Sequence, residues 1–299
     1  MTARSCPVCG SSDQLNIFTE SNFDQEKINE FTFASRKLPD YMHYRLVNCP
    51  GCDLLYASLI PQPDSLTKAY FEASFDSVQE AHYASRTYAG FLSGIMRRLP
   101  DLEGALDIGA GDGAFLEELI ARGFSRVAGV EPSKAPLTFA KDKIRPLIKN
   151  SVFRGEDFPK ESFSLVTCFQ TLEHMRQPLE SCRSIYALLK PKGAAFFICH
   201  NRRGLCAKIM GLKSPIYDIE HLQLFSKKSI GILLEKCGFT GIKIKPVFNY
   251  YPLQYWVRLF PFSAKLKSGL VSWLRKIKLA QAPIMLAAGN FAVICYKKD

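Results

Sequence analysis

The stretch from Ala105 to Ile120, ALDIGAGDGAFLEELI, restricts the fold more than any other part of the chain. An apolar run leads into a glycine-rich turn and then into a helix-like pattern. Gly109, Gly111 and Ala114 satisfy the G-x-G-x-x-G/A fingerprint of a nucleotide-binding turn, and Gly109, Gly111 and Gly113 also read as G-x-G-x-G. Glycines at a strand end let the backbone approach a ligand closely where a helix begins. The alternation continues to the C-terminus. ALDIG, RVAGVE, SVFR, FSLVTCF, AAFFICH, GIKIKPV and FAVICYK are seven strand candidates. Helices are expected over 114–122, 133–143, 179–189 and 226–237, with Ser133 and Ser226 as N-caps and Gly238 closing the last. Such alternation builds a doubly wound, mostly parallel seven-stranded α/β sheet.

Three segments precede or make up this pattern. Residues 1–60 carry two cysteine pairs and few helix signals. Residues 61–100 read as a helical linker or lid. Residues 101–299 hold the α/β domain. No run of about 18 uncharged apolar residues is present, and MTARSCPVCG lacks the apolar core of a secretory signal. The expectation is a cytoplasmic protein, at most peripheral at the inner membrane surface, whose ten cysteines are reduced. Cys168 and Cys199 fall inside strand candidates and are expected in the core.

CPVCG (Cys6, Cys9) and CPGCD (Cys49, Cys52) are two knuckles of the same C-P-x-C form. Each turn points two thiolates at one place, and two such turns make a tetrahedral Cys₄ zinc site with no open position, hence structural rather than catalytic. A redox C-x-x-C would need no second pair. Between the knuckles lies DYMHYRL, from Asp40 to Leu46. It is either a loop braced over a substrate pocket or the module's own β-hairpin.

The acids around the glycine turn discriminate between ligands. Asp107 precedes the first glycine and Asp112 lies within the turn. Beside a pyrophosphate two carboxylates repel. Beside the amino group and sulfonium of S-adenosylmethionine (SAM) they attract. Glu131 ends the second strand about 20 residues on, the spacing of an acid that binds ribose hydroxyls.

ALDIGAGDGAFLEEL, GVEPS, GEDFPKESFSLVTCFQTLEHMRQPLE, LLKPKGAAFFICHN and HLQLFSKKSIGILLEKCGF follow one another as in class I SAM-dependent methyltransferases, which the chain resembles over about residues 80–245. The resemblance implies a Rossmann-like fold. It implies that Asp107, Gly109, Ala110, Gly111, Asp112 and Gly113 cradle SAM, with Glu131 and Pro132 at its ribose. Asp157 with Phe158 would meet the adenine, Glu156 being the competing acid, and Gln170 would approach the sulfonium. The knuckles and the following CDLLYASLIPQPDSL…AYF also resemble a subgroup with an amino-terminal zinc module, which includes sugar C-methyltransferases and enzymes of surface-polysaccharide and natural-product clusters. Three positions depart from the pattern. Ser164 replaces the Asp of FD, Lys192 replaces the first Gly of PGG, and His200 precedes Asn201 where PN is common.

Methyl transfer to a hydroxyl or an acidic carbon needs a base, and His is the usual one near neutral pH. His174 follows the fourth strand and His221 lies in the connection after the fifth, each beside an acid, Glu173 and Glu220. Either serves as base, and His174 equally serves to brace the next helix. His43 and His82 are weaker candidates. Tyr83 and Tyr88 either close over the cofactor or are core.

From Gly241 onward the chain has ten Lys/Arg and a single acid, Asp299. An insertion at about 250–288 separates the sixth and seventh strands. Within it Leu266, Leu270, Trp273, Leu274 and Ile277 share a helical face flanked by Lys265, Lys267, Arg275, Lys276 and Lys278. A basic amphipathic helix with Trp reads either as membrane-surface contact through residues 252–280 or as a helix packed on protein.

The leading function is methyl transfer from SAM to a small-molecule or glycan acceptor: a sugar nucleotide, a lipid-linked sugar or a biosynthetic intermediate. The alternative is a zinc-ribbon RNA methyltransferase. Against it, the charge lies in the insertion rather than on the ribbon, and no N-P-P-[YF]-like motif for a flipped base is present.

Overall fold

A computed structural model describes residues 1–12, 16–34 and 39–299. The first strands are short: β1 (Thr2–Ala3), β2 (Ile17–Thr19), β3 (Leu46–Asn48), β4 (Leu55–Ala57) and β5 (Leu59–Ile60). Helices α1 (Pro63–Phe71), α2 (Val78–Ala89) and α3 (Leu92–Met96) follow, with Pro63 at the first turn of α1, where its missing N–H has no role.

The α/β part runs β6 (Ala105–Ile108), α4 (Ala114–Ala121), β7 (Val127–Val130), α5 (Lys134–Phe139), β8 (Ile148–Lys149), β9 (Phe163–Phe169), α6 (Pro178–Leu188), β10 (Leu189–His200), α7 (Leu205–Met210), β11 (Gln223–Leu224), α8 (Lys227–Lys236) and β12 (Thr240–Pro246). An inserted unit comprises β13 (Asn249–Pro252), α9 (Leu253–Leu259), α10 (Ala264–Lys276) and β14 (Pro283–Leu286), and β15 (Asn290–Tyr296) ends the fold. The main sheet has seven strands in the order β12-β15-β10-β9-β6-β7-β8. β15 is antiparallel to both neighbours and the other pairs are parallel. The strands β6, β9, β10 and β15 read as continuous apolar runs because both their faces are covered.

Sequence and structure differ locally. The third strand is β8, not SVFR: residue 151 is already in a bend and a 3₁₀ turn follows at Gly155–Asp157. Helix α5 stops at Phe139 rather than 143. Ser133 does not cap it; its hydroxyl donates to the Ala73 carbonyl at 2.9 Å. Ser226 does cap α8, in a reciprocal box with Ser229. Lys192, where the family pattern has glycine, has φ +63°. That left-handed conformation costs a side chain about 1 kcal/mol and explains the glycine preference there.

The N-terminal segment does not fold apart from the rest. β11 pairs with β4, so a four-stranded sheet β11-β4-β3-β2 draws strands from both sides of residue 100. Cys6, Val8, Val47, Cys49, Cys52, Leu54 and Tyr56 share one core with Phe225, Ile230 and Leu234. Arg4 fastens the junction, donating to the carbonyls of Ala57 (2.9 Å), Arg176 (3.1 Å) and Leu222 (2.5 Å).

Candidate active site

Every element that follows β6, β7, β9 and β10 leaves the sheet at its carboxyl edge, where open α/β sheets bind ligands. A cavity of about 700 Å³ lies there. The glycine turn forms part of its wall. Gly109 and Gly111 are both left-handed, with φ +79° and +56°. A Cβ on Gly109 would stand 2.1 Å from Thr171 Oγ1, whereas one on Gly111 would meet nothing within 4 Å. Gly109 is therefore demanded by packing, and Gly111 by a backbone bend beside open space.

Three acids border this turn. Asp107, buried on β6, accepts the Thr167 hydroxyl at 2.6 Å across the β6–β9 pair. Asp112 Oδ1 accepts the Ala114 N–H at 3.2 Å at the start of α4, and its Oδ2 lies 4.0 Å from His82 Nε2. Glu131 spans the two loops, accepting the N–H groups of Gly111 and Ser133, each at 2.9 Å. Asp107, Gly109, Ala110, Gly111, Asp112, Glu131 and Pro132 all line the cavity; Gly113 does not.

Asp157 and Phe158 do not line it either, nor does Glu156. Asp157 pairs with Lys149 Nζ at 2.8 Å, and Phe158 packs edge-on against Phe163. Val152 and Phe153 form the wall instead. Because the third strand ends at Lys149, the wall comes from residues a few places before the expected acid. Gln170 lies just beyond β9 at φ +49° and lines the cavity. Its Oε1 accepts the Tyr88 hydroxyl at 3.2 Å, and its Nε2 lies 3.4 Å from His200 Nε2. Tyr88 is thus a wall residue as well as core. Tyr83 packs against Tyr250 outside the lining, and His43 is buried beside the Tyr44 carbonyl, away from it.

Three histidines meet in the wall of the same cavity. The His221 ring lies 4.9 Å from that of His174 and 5.0 Å from that of His200. His174 Nδ1 is 3.0 Å from the Glu220 carbonyl and 3.1 Å from the Tyr70 hydroxyl, which itself donates to the same carbonyl at 3.0 Å. A carbonyl only accepts, so His174 carries its proton on Nδ1 and presents Nε2 as an acceptor. Glu220 Oε1 lies 3.9 Å from His221 Nε2. Burial lowers the His200 pKa to about 4, so this ring is neutral at physiological pH. His200 Nδ1–H donates to Asn290 Oδ1 at 2.8 Å. Glu173 is not a cavity residue. It lies fully buried behind the site, where burial pushes its carboxyl up to about 7 and its Oε1 accepts the His200 N–H at 2.7 Å.

The far wall combines the inserted unit and the N-terminal segment. Asn249, Tyr251, Tyr255 and Trp256 come from the former, and Phe33, Ala34 and Pro39 from the latter. Asp218 Oδ1 accepts the N–H groups of Asp40 and Tyr41, each at 3.2 Å. The start of DYMHYRL is thereby tied to the connection that carries His221. Asn249 Oδ1 is buried and has no hydrogen-bond partner among the described residues, a place for a ligand donor. Tyr70, Asn249 and Asn290 were not legible as site residues, because a lone Tyr or Asn in a helix or insertion carries no motif.

Outside the cavity lining the four knuckle cysteines converge. Cys6 and Cys52 sulfurs are 3.5 Å apart, Cys9 and Cys49 sulfurs 3.3 Å, and all four lie within 4.8 Å of one another. Tetrahedral Zn–S bonds of about 2.3 Å place sulfurs about 3.8 Å apart, so the set fits zinc. The second knuckle is tied onward, Asp53 pairing with Arg202 and Arg203 just beyond β10.

A family model described as a methyltransferase domain matches residues 81–244. The ubiquinone biosynthesis O-methyltransferase of Aliivibrio fischeri (strain MJ11) is 28% identical over 167 residues, which cover 50% of this chain and 70% of that protein. The enzyme of the same name from Actinobacillus pleuropneumoniae serotype 5b is 35% identical over 107 residues, covering 32% of this chain and 45% of that one. Among solved structures, the YcgJ protein of Bacillus subtilis superposes with a TM-score of 0.52 at 16% identity, covering 72% of this chain and 99% of that one. That likeness is one of fold.

Proposed function

The chain belongs to the SAM-dependent methyltransferase family, and from that premise we propose that it methylates a hydroxyl of a small-molecule acceptor held at the histidines of the cavity. The observation that carries this is the grouping of His174, His200 and His221 in the wall of the same cavity that the glycine turn lines. The O-methyltransferase names of the relatives support it.

The residues fit SAM. Gly111 borders open space, and Glu131 offers a carboxylate for ribose hydroxyls. Asp107 and Asp112 suit a cationic amino-acid end. When bound, SAM supplies a methyl carbon activated by a sulfonium leaving group. The chain's task is then to orient the nucleophile, exclude water and remove one proton. His200, held neutral, only orients. His221, buried in the cavity wall with a Glu220 carboxylate oxygen 3.9 Å from its Nε2, takes the proton. His174, with Nδ1–H fixed on the Glu220 carbonyl, presents Nε2 to a second N–H or O–H donor of the acceptor and so positions it, the reacting hydroxyl's one proton going to His221. The four cysteines would hold a structural zinc, which would fix the second knuckle that Asp53 ties to Arg202 and Arg203.

A sugar fits this reading as a hydroxyl-bearing acceptor, and the same base would serve an acidic sugar carbon. An RNA acceptor fits less well, since the basic excess sits on the inserted unit and not on the cysteine module. The test is to supply the purified protein with methyl-¹³C SAM and a small-molecule extract of cells lacking its gene. The label is expected in an O-methyl resonance. Label on carbon or nitrogen, or only in added RNA, overturns the proposal.

A further inference from the structure

The inserted unit presents an apolar surface that the rest of the molecule leaves uncovered. Helix α10 packs inward through Val271 and Leu274 alone. Leu266, Trp273 and Ile277, successive positions of one stripe at 100° per residue, are 49%, 56% and 41% exposed. By the same spacing Lys265 and Lys276 fall on one flank of the stripe and half-buried Lys267 on the other, toward Leu274, while Lys278 follows the helix end at φ +60°. Continuous with this unit are exposed Phe260 and Phe262, stacked at 5.6 Å, and Met285 and Leu286 of β14. Helix α7 abuts the same region, Gly204 lying against Gly289, and it exposes Leu205 (71%) and Ile209 (76%).

Two further facts say what covers this surface. Between Glu235 and Asp299 there is no acidic residue, while Lys265, Lys267, Arg275, Lys276 and Lys278 stand on α10 or just beyond it. An apolar stripe edged only by cations complements an anionic lipid surface rather than a mixed-charge protein face. No helix among the described residues is long and apolar enough to cross a membrane, so contact is with the surface. Moreover Phe260 and Leu286 are at once exposed and cavity-lining, and Met210 and Leu259 line the cavity beside them. The cavity therefore opens through this apolar rim.

We propose that the face formed by α7, α10 and the β13–β14 hairpin docks on an anionic bilayer, and that an amphiphilic acceptor passes from it through the Phe260–Leu286 rim to the histidines. The second half rests on the reading of the cavity as the acceptor site; the docking does not.

The experiment is sedimentation of the whole protein with phosphatidylcholine vesicles, with and without phosphatidylglycerol, while tryptophan emission is followed. Binding to the anionic vesicles, weakened by salt, is expected with a blue shift that Trp273→Phe removes. A Leu266→Ser/Ile277→Ser pair and a Lys265→Glu/Lys276→Glu pair should each cut binding at least tenfold while SAM affinity, a check on folding, stays unchanged. Equal binding to neutral vesicles, no binding, binding untouched by either pair, or stripe-dependent self-association or RNA binding in its place overturns the docking. Undiminished methylation of detergent-solubilised acceptor by a variant that no longer binds vesicles would leave the catalytic reading standing.

Discussion

Replacing His221 by Asn is expected to lower kcat by about two to four orders of magnitude, the usual range for loss of a general base. SAM affinity should stay within about threefold, because the proposed SAM contacts are the glycine turn and Glu131. The sign of the pH dependence is fixed by the chemistry. A histidine base works only when neutral, so the wild-type rate falls on the acid side as the ring protonates, and this limb should vanish in His221→Asn. Tyr70→Phe should give a smaller loss, since His174 keeps its bond to the Glu220 carbonyl. His200→Asn should leave the acid limb in place, because burial already keeps that ring neutral. The assay is S-adenosylhomocysteine formation in the presence of acceptor. Turnover by His221→Asn within threefold of wild type would place the base elsewhere.

The second large effect concerns the cysteines. Cys49→Ser removes one of four converging sulfurs from a module that shares the main core. Structural zinc binding in small domains is worth about 10 kcal/mol or more, comparable with the whole stability of a domain. The variant is expected to lose its metal and to melt at least about 10 °C lower. The loss should not stay local. Asp53 holds Arg202 and Arg203, Arg4 joins the module to Arg176 and Leu222, and Asp218 holds Asp40 and Tyr41. Acceptor KM should therefore rise more than SAM affinity falls. One zinc per wild-type chain by elemental analysis, and none in the variant, checks the assignment. A metal-free wild type with unchanged melting would remove it.

The glycine turn and the mostly parallel seven-stranded sheet could be read from the chain because each rests on local pattern, whereas the order of the strands and the meeting of His174 with His221 come from tertiary pairing. A strand end followed by glycines and a helix has few structural outcomes. Two identical C-P-x-C turns converge whatever lies between them. What was not legible depends on tertiary placement. The family resemblance implies Asp157 at the adenine; in the structure the third strand is Ile148–Lys149, Asp157 pairs with the Lys149 amine, and Val152 and Phe153 line the cavity. β11 reads as a loop in sequence, yet it completes the N-terminal sheet, and nothing local announces a partner strand over 160 residues away. In α10 the periodicity revealed an apolar face, but only packing decides that Val271 and Leu274 are covered while Leu266, Trp273 and Ile277 are not.

One cavity serves two proposed roles, cofactor binding at the glycine turn and proton removal at the histidines. Calorimetric titration of SAM into wild type, Glu131→Ala and His221→Asn tests this most directly. Saturable binding to wild type and His221→Asn with matching affinity, and binding at least tenfold weaker to Glu131→Ala, is the predicted result. Equal binding by all three folded proteins, or loss confined to His221→Asn, would contradict it.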